Sequence, residues 1–340
     1  MRLAALNTGP DFHLLDHIAP LASLMNMPLF LTEEKNSELA EKYYPQVQSI
    51  YLPDLEHRLS YFADTFDALF ECKYWAPHLK QLFSDLYSKN MRLVFCPHGQ
   101  SDKGYATPLL APYMEQDIVL VYGQLMQEML RELKVPARSV VVGNFRHTFY
   151  LAHQSFYDEL VEKEIFSHLP RNKKTLLYAP TWNDADQATS FFESAPALFS
   201  EIPEEWNLLI KVHPLLEQRD PVHYYRIAAL AERPNIHLLS EFPPIYPILA
   251  RADAYLGDYS SVGYDFLPFG RPMLFLVKPS LPQGRLHACG TILHSPHSIF
   301  SQISKQESLK KSKQELYRLA FEKCDPVEIS EKVVRSLSRY

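Results

Sequence analysis

Glycine is scarce, 10 residues in 340, and none of it forms a GxGxxG run or a P-loop. Any phosphate bound by this chain must therefore be held by helix starts and side chains rather than by a glycine cradle. Cysteine is scarcer: Cys72, Cys96, Cys289 and Cys324 are scattered, with no CxxC pair. That spacing argues against a zinc ribbon or redox dithiol and fits a reducing compartment, where a thiol serves as a small buried apolar group. Basic charge is short as well. Lys and Arg number 34 against 40 Asp and Glu, a net charge of −6, which argues against nucleic acid as a partner. No stretch approaches the ~18–20 apolar residues of a membrane span. Polar residues interrupt the N-terminal MRLAALNTGP too early for a signal peptide. The expected location is cytoplasmic.

What is present is a globular chain, 46% apolar and 22% charged, long enough for two domains. Its 26 prolines point to many turn-punctuated elements. Short apolar runs alternate with helical patterns from the start. Strands are expected at 2–6, 28–31, 49–52, 66–70, 93–96, 118–122 and 139–142, with helices between them. A connecting helix is expected over 151–169, and Pro170-Arg171-Asn172-Lys173-Lys174 is a polar break. The alternation then restarts, with strands at 175–178, 207–212, 236–239, 254–257 and 273–277. Such alternation predicts α/β domains with doubly wound parallel sheets, which take ligands beyond the carboxyl ends of their strands. The expected domains are 1–169, 170–304 and a charged helical tail, 305–340, whose Lys310, Lys311 and Lys313 read as a solvated helix face.

The most informative stretch is Ala250 to Val277, which reads as strand, loop, helix, turn, strand. Ala254 to Gly257 is the first strand, Tyr264, Phe266, Leu267 and Phe269 mark a buried helix side, and Gly270-Arg271-Pro272 stops that helix. A helix start after a strand leaves N–H groups without partners and favours negative charge. Ser260 and Ser261 suit either helix capping or donation to a phosphate.

The segment Gly257-Asp258-Tyr259-Ser260-Ser261 with Asp265-Phe266 resembles the (S/T)DYSS…DF segment of the CDP-glycerol glycerophosphotransferase family, which builds teichoic-acid-like polyol phosphate polymers. Three further segments match in the family's order: Cys96-Pro97-His98-Gly99-Gln100 with HGTPLK, Tyr178-Ala179-Pro180-Thr181-Trp182 with YAPTWR, and Lys211-Val212-His213-Pro214 with (K/R)xHP. Gln100, Ser101 and Asp102 stand where the family has Thr-Pro-Leu, and Lys103 keeps a nearby cation.

The resemblance implies a GT-B architecture of two facing Rossmann-like domains. It implies a transferase that moves a glycerol phosphate, polyol phosphate or sugar from a nucleotide diphosphate donor, CDP-linked by the resemblance, to a hydroxyl acceptor. His98 is the implied general base, since a histidine near its intrinsic pKa of ~6.5 suits proton removal at neutral pH. Lys211, His213, Asp258, Ser260, Ser261, Thr181, Trp182 and Arg146 are placed on the donor. Gly99, Gln100 and His13 are placed on the acceptor side. Asp258 has three readings: binding a ribose or polyol hydroxyl, capping the helix, or orienting Ser261. Trp182 is either a stacking platform or a core residue.

His287, His294 and His297 cluster without a third close acidic or cysteine ligand, so no metal site is expected. No cofactor is expected beyond the nucleotide donor. The family's acceptors are lipid-linked, which makes contact with a membrane peripheral at most. Rival readings are a UDP- or CMP-sugar glycosyltransferase, a nucleotide-sugar epimerase sharing the two-sheet layout, and a non-catalytic nucleotide-binding protein.

Overall fold

The computed structural model describes residues 1–73, 75, 78–102, 116–184, 186–303, 309–323 and 325–338. Lys103 and Cys324 lie outside the described residues. Among these, residues within 1–100, 104–152 and 318–340 form one compact unit, and those within 101–103 and 153–317 form the other.

The first unit holds β1 (Leu3–Asn7), β2 (Leu29–Leu31), β3 (Ser49–Tyr51), β4 (Ala68–Glu71), β5 (Arg92–Phe95), β6 (Ile118–Val121) and β7 (Arg138–Val141). They form a parallel sheet in the order β3-β2-β1-β4-β5-β6-β7. The second unit holds β8 (Lys174–Tyr178), β9 (Trp206–Lys211), β10 (Ile236–Leu239), β11 (Ala254–Gly257), β12 (Met273–Leu276) and β13 (Thr291–Leu293). Its order is β10-β9-β8-β11-β12-β13, again all parallel. The expected doubly wound fold is thus present in both units. Each sheet reverses its strand order between its first and fourth strands, and ligands in such sheets bind outside the carboxyl ends at that reversal.

The strands were readable because parallel strands covered on both faces become unbroken apolar runs. All four residues of β6, β11 and β12 are buried. Several prolines sit in the first turn of a helix, as at Pro214, Pro221 and Pro326, where a missing N–H costs nothing.

Two boundaries differ from expectation. The division falls at 152/153 rather than 169/170. The connecting helix is two helices, Phe145–Ala152 and Gln154–Glu164. The second is tied into the second unit by Arg251, whose guanidinium pairs with Glu162 at 2.7 Å and lies 4.5 Å from the Phe166 ring. The tail is split too. Helix Lys310–Ala320 begins in the second unit, and helix Pro326–Leu337 belongs to the first, burying Ile329, Val333 and Leu337. Lys313 is not part of a solvated face. It is buried, and its Nζ donates to the Arg271 carbonyl at 2.7 Å. The short strand β13 was missed because three residues, TIL, carry no pattern of their own.

Candidate functional site

The loops after β8, β9 and β11, three adjacent strands, carry most of the residues assigned to the donor. Asp258, one residue past β11, is completely buried. Its Oδ1 accepts the Thr181 N–H at 2.8 Å. Its Oδ2 accepts both the Ser190 N–H at 2.8 Å and the Ser190 hydroxyl at 2.9 Å. Because Ser190 Oγ gives its proton to Asp258, the Tyr178 hydroxyl must donate to Ser190 Oγ across 2.8 Å. The carboxylate therefore ties the loop after β8 to the loop after β11 at the sheet's reversal point. Of its three sequence readings, none describes this bracket: the helix at Ser261 has no side-chain cap.

On the other side of the same loop, His287 is buried. Its Nδ1 accepts the Gly284 N–H at 2.9 Å, which assigns the proton to Nε2, and Nε2–H donates to the Asp258 carbonyl at 3.0 Å. Asp102 adds a third fixture within the second unit. It accepts the Tyr264 hydroxyl at 2.7 Å and the Leu286 N–H at 2.8 Å.

These fixtures leave the intervening residues at the surface. Ser260 and Ser261 are half-buried. Ser260 Oγ accepts the Val262 N–H at 3.4 Å, and the helix that follows is short, Val262–Phe266, continued by a 3-10 turn over Leu267–Phe269. His213 is extended at the end of its strand and caps helix Pro214–Arg219 through Nδ1, which accepts the Leu215 N–H at 3.2 Å. That bond puts the imidazole proton on Nε2. Trp182 lies beside it, with ring centroids 6.4 Å apart, and the Arg219 guanidinium stacks 4.5 Å from the Trp182 ring. Trp182 is also packed against the unit's core. Lys211 ends β9, with its ammonium on the Phe242 carbonyl at 2.7 Å. The structure thus gathers Thr181, Trp182, Lys211, His213, Asp258, Ser260 and Ser261 along one sheet edge.

The remaining sequence candidates lie in the first unit. His98 follows β5, and Gly99 has φ 118°, a left-handed conformation that disfavours any side chain there. His98 keeps surface open to solvent, yet the protein crowded about its ring holds its pKa below the usual value. A hydrogen bond to the Cys72 backbone and the Asp11 carboxylate push the other way, and Arg146 adds to the depression. His98 is accordingly a neutral imidazole at pH 7. Its ring meets that of His17 edge-on at 6.3 Å. His17 is held neutral more strongly, by burial first and then by the Arg146 charge. The Tyr122 hydroxyl donates to the Pro97 carbonyl at 2.6 Å, which leaves His17 Nδ1 to donate to Tyr122 at 3.3 Å.

Arg146 departs from its assignment to the donor. It is buried in the first unit, where its guanidinium donates to the Asp16 carboxylate and, through Nε, to the Asp16 carbonyl at 3.0 Å. A buried charge is held by its partner, and this one is spent on Asp16. Gln100 is buried, and its Oε1 has no hydrogen-bond partner among the described residues. His13 lies in the 3-10 turn Phe12–Leu14, with its ring edge-on to Phe12. Sequence reasoning missed His17, Ser190, His287 and Asp102. His17 left a signal in its four-residue spacing from His13 in a stretch that reads as helical, whereas Asp102 and His287 showed only as a departure in the loop after His98 and as one of a histidine cluster.

A family model for CDP-glycerol:poly(glycerophosphate) glycerophosphotransferase matches residues 138–282. The teichoic acid glycerol-phosphate primase of Bacillus subtilis (strain 168) is 29% identical over 106 residues, 31% of this chain and 26% of its own length. The chain thus spans about a quarter of that curated relative, and 19% of a matching teichoic acid poly(glycerol phosphate) polymerase from Staphylococcus epidermidis. The fold is shared with the solved wall teichoic acid polymerase TagF, at a TM-score of 0.66 and 13% identity over 99% of this chain and 88% of that one. It is also shared with the UDP-GlcNAc 2-epimerase of Neisseria meningitidis, at 0.61 and 13% over all of both chains. The matched segment contains every donor-side residue of the second unit, and over that segment the chain is similar to the CDP-glycerol:poly(glycerophosphate) glycerophosphotransferase family.

Proposed function

We propose that the protein transfers a glycerol phosphate, or a related polyol phosphate, from a CDP-linked donor to a hydroxyl acceptor in the synthesis of a cell-envelope polymer. The observation that carries this reading is that the family match falls on the β8, β9 and β11 loops, where Asp258 brackets the donor-side residues. His213, Ser260, Ser261 and Thr181 hold the donor's phosphates, and Lys211 adds positive charge. Asp258 positions the loops without itself meeting an anion, since a buried carboxylate would repel one.

In the step itself, the acceptor oxygen attacks the phosphorus that carries the polyol. The pyrophosphate P–O bond breaks, CMP leaves with the electron pair, and His98 takes the acceptor's proton. Fixed donors on the leaving phosphate stabilise charge as it develops, which is where they accelerate most. The reading calls for no metal or organic cofactor. It places the protein in the cytoplasm, in peripheral contact with a membrane surface that presents the acceptor.

The test is CMP release from CDP-glycerol in the presence of a polyol phosphate acceptor. His98→Ala should lower turnover by roughly 10²–10⁴-fold while leaving CDP binding intact. CDP-glycerol that stays unconsumed by the wild type, while a UDP-sugar is turned over or epimerised, would replace this reading with that of the epimerase-like fold relatives.

A further inference from the structure

The mouth of the first sheet's own reversal point holds a cavity lined by none of the residues assigned to the donor or the acceptor. It measures about 300 Å³ and lies at the carboxyl ends of β1 and β4, beneath helix Leu59–Thr65 and helix Leu79–Tyr87. Its walls are mostly apolar, with Leu59, Phe62, Leu69 and Trp75 among them. Polarity is confined to Glu56 at the exposed rim and to Thr8 and Glu71 inside.

Glu71 is buried, 4% exposed. Its Oε1 takes both the Thr8 N–H, at 3.2 Å, and the Thr8 hydroxyl. Its Oε2 has no hydrogen-bond partner among the described residues, and Glu71 lines the cavity. An apolar chamber of this size, with one convergent polar group at its end, has the composition of a small-molecule site. The carboxyl group also selects by charge. Burial pushes its pKa up to about 7, so near neutral pH Oε2 alternates between donating and accepting a hydrogen bond. A hydroxyl satisfies both forms, and an anionic head would be repelled by the ionised one and by Glu56; Lys73, whose charge pulls the Glu71 pKa down, is held at 2.6 Å on both the Asp11 carboxylate and the Thr8 carbonyl.

We propose that this cavity is a binding site for a neutral aliphatic alcohol, with the chain against Leu59, Phe62, Leu69 and Trp75 and the hydroxyl on Glu71 Oε2. The site is independent of the donor chemistry, so its failure and that of the transferase reading are separate results.

Calorimetric titration of the full chain with 1-octanol and with octanoate tests it. The expected result is saturable one-to-one binding of 1-octanol with a negative heat-capacity change, the mark of apolar burial. Octanoate at about pH 8 should bind at least tenfold more weakly, and Glu71→Gln should narrow that gap. Leu59→Trp and Leu55→Trp, both at the half-buried entrance, should each weaken 1-octanol by about tenfold or more with circular dichroism unchanged. If one of the two variants does not fold, the other carries the test. Absence of saturable 1-octanol binding overturns the proposal. So does undiminished binding by the folded tryptophan variants, or octanoate binding as tightly as the alcohol at the higher pH.

Discussion

Single side chains decide the chemistry, and their environments give signed expectations. His98 is depressed below its ordinary pKa by the protein crowded about its ring, so its base form persists through neutrality and is lost only on acidification. The acidic limb of kcat/KM should therefore lie below about pH 6.5; a limb centred above pH 7 would exclude His98 as the base. Glu71 runs in the opposite sense in stability. Its folded pKa of about 7 exceeds its ordinary 4.5, so between those values the folded state holds a proton that the unfolded chain releases. Stability is lost through Glu71 as pH rises from 4.5 through 7. Glu71→Gln should thus raise Tm relative to wild type by an increment that grows across that window and levels off above it. Asp258→Asn replaces an oxygen that accepts two Ser190 bonds with a donor, or loses the Thr181 bond if the amide flips. The cost should be about 2–4 kcal/mol by denaturant melts, with donor binding lost as well.

Short elements show how much of the site a sequence can disclose. The strands were legible from apolar runs, and the loops were placed at their carboxyl ends by alternation alone. Side-chain pairings over long separations were not. Asp258 reaches Thr181 and Ser190 across 77 and 68 residues, and Arg146 reaches Asp16 across 130. No periodicity records such contacts, so the bracket was invisible and Arg146 was misassigned. His213 was legible as the end of a strand but not as the cap of helix Pro214–Arg219, which gives it two jobs that can be separated. His213→Asn keeps a capping side chain and should change stability by less than about 0.5 kcal/mol, whereas His213→Ala should cost about 1 kcal/mol. Both should lose donor binding if the imidazole contacts phosphate. Retained nucleotide affinity in His213→Asn would reduce His213 to a structural cap.

At the scale of the whole molecule, the chain ends by returning to the unit in which it began. The Glu322 N–H donates to the Tyr122 carbonyl at 3.0 Å, and a Cβ on Gly123 would meet the Ala320 carbonyl oxygen at 2.6 Å. Ile329, Val333 and Leu337 are buried there, and each buried side chain of this kind is worth about 1.5–3 kcal/mol. Truncation after Tyr317 should therefore expose the first unit to proteolysis while the second retains its protection. That division of labour sets the most direct test of the account, which holds that the second unit's β8, β9 and β11 loops bind a CDP-linked donor. Thermal stabilisation of the full chain should be measured against CDP, CDP-glycerol, UDP and GDP. At ~100 times Kd a ligand adds about 2.7 kcal/mol to the folded state. CDP and CDP-glycerol should raise Tm in the wild type and lose that effect in Ser260→Ala/Ser261→Ala, whose own Tm should fall only slightly, because Ser261 makes no cap bond and Ser260 Oγ takes the Val262 N–H only at 3.4 Å. A response to UDP alone, or a CDP response that survives the double substitution, would contradict it.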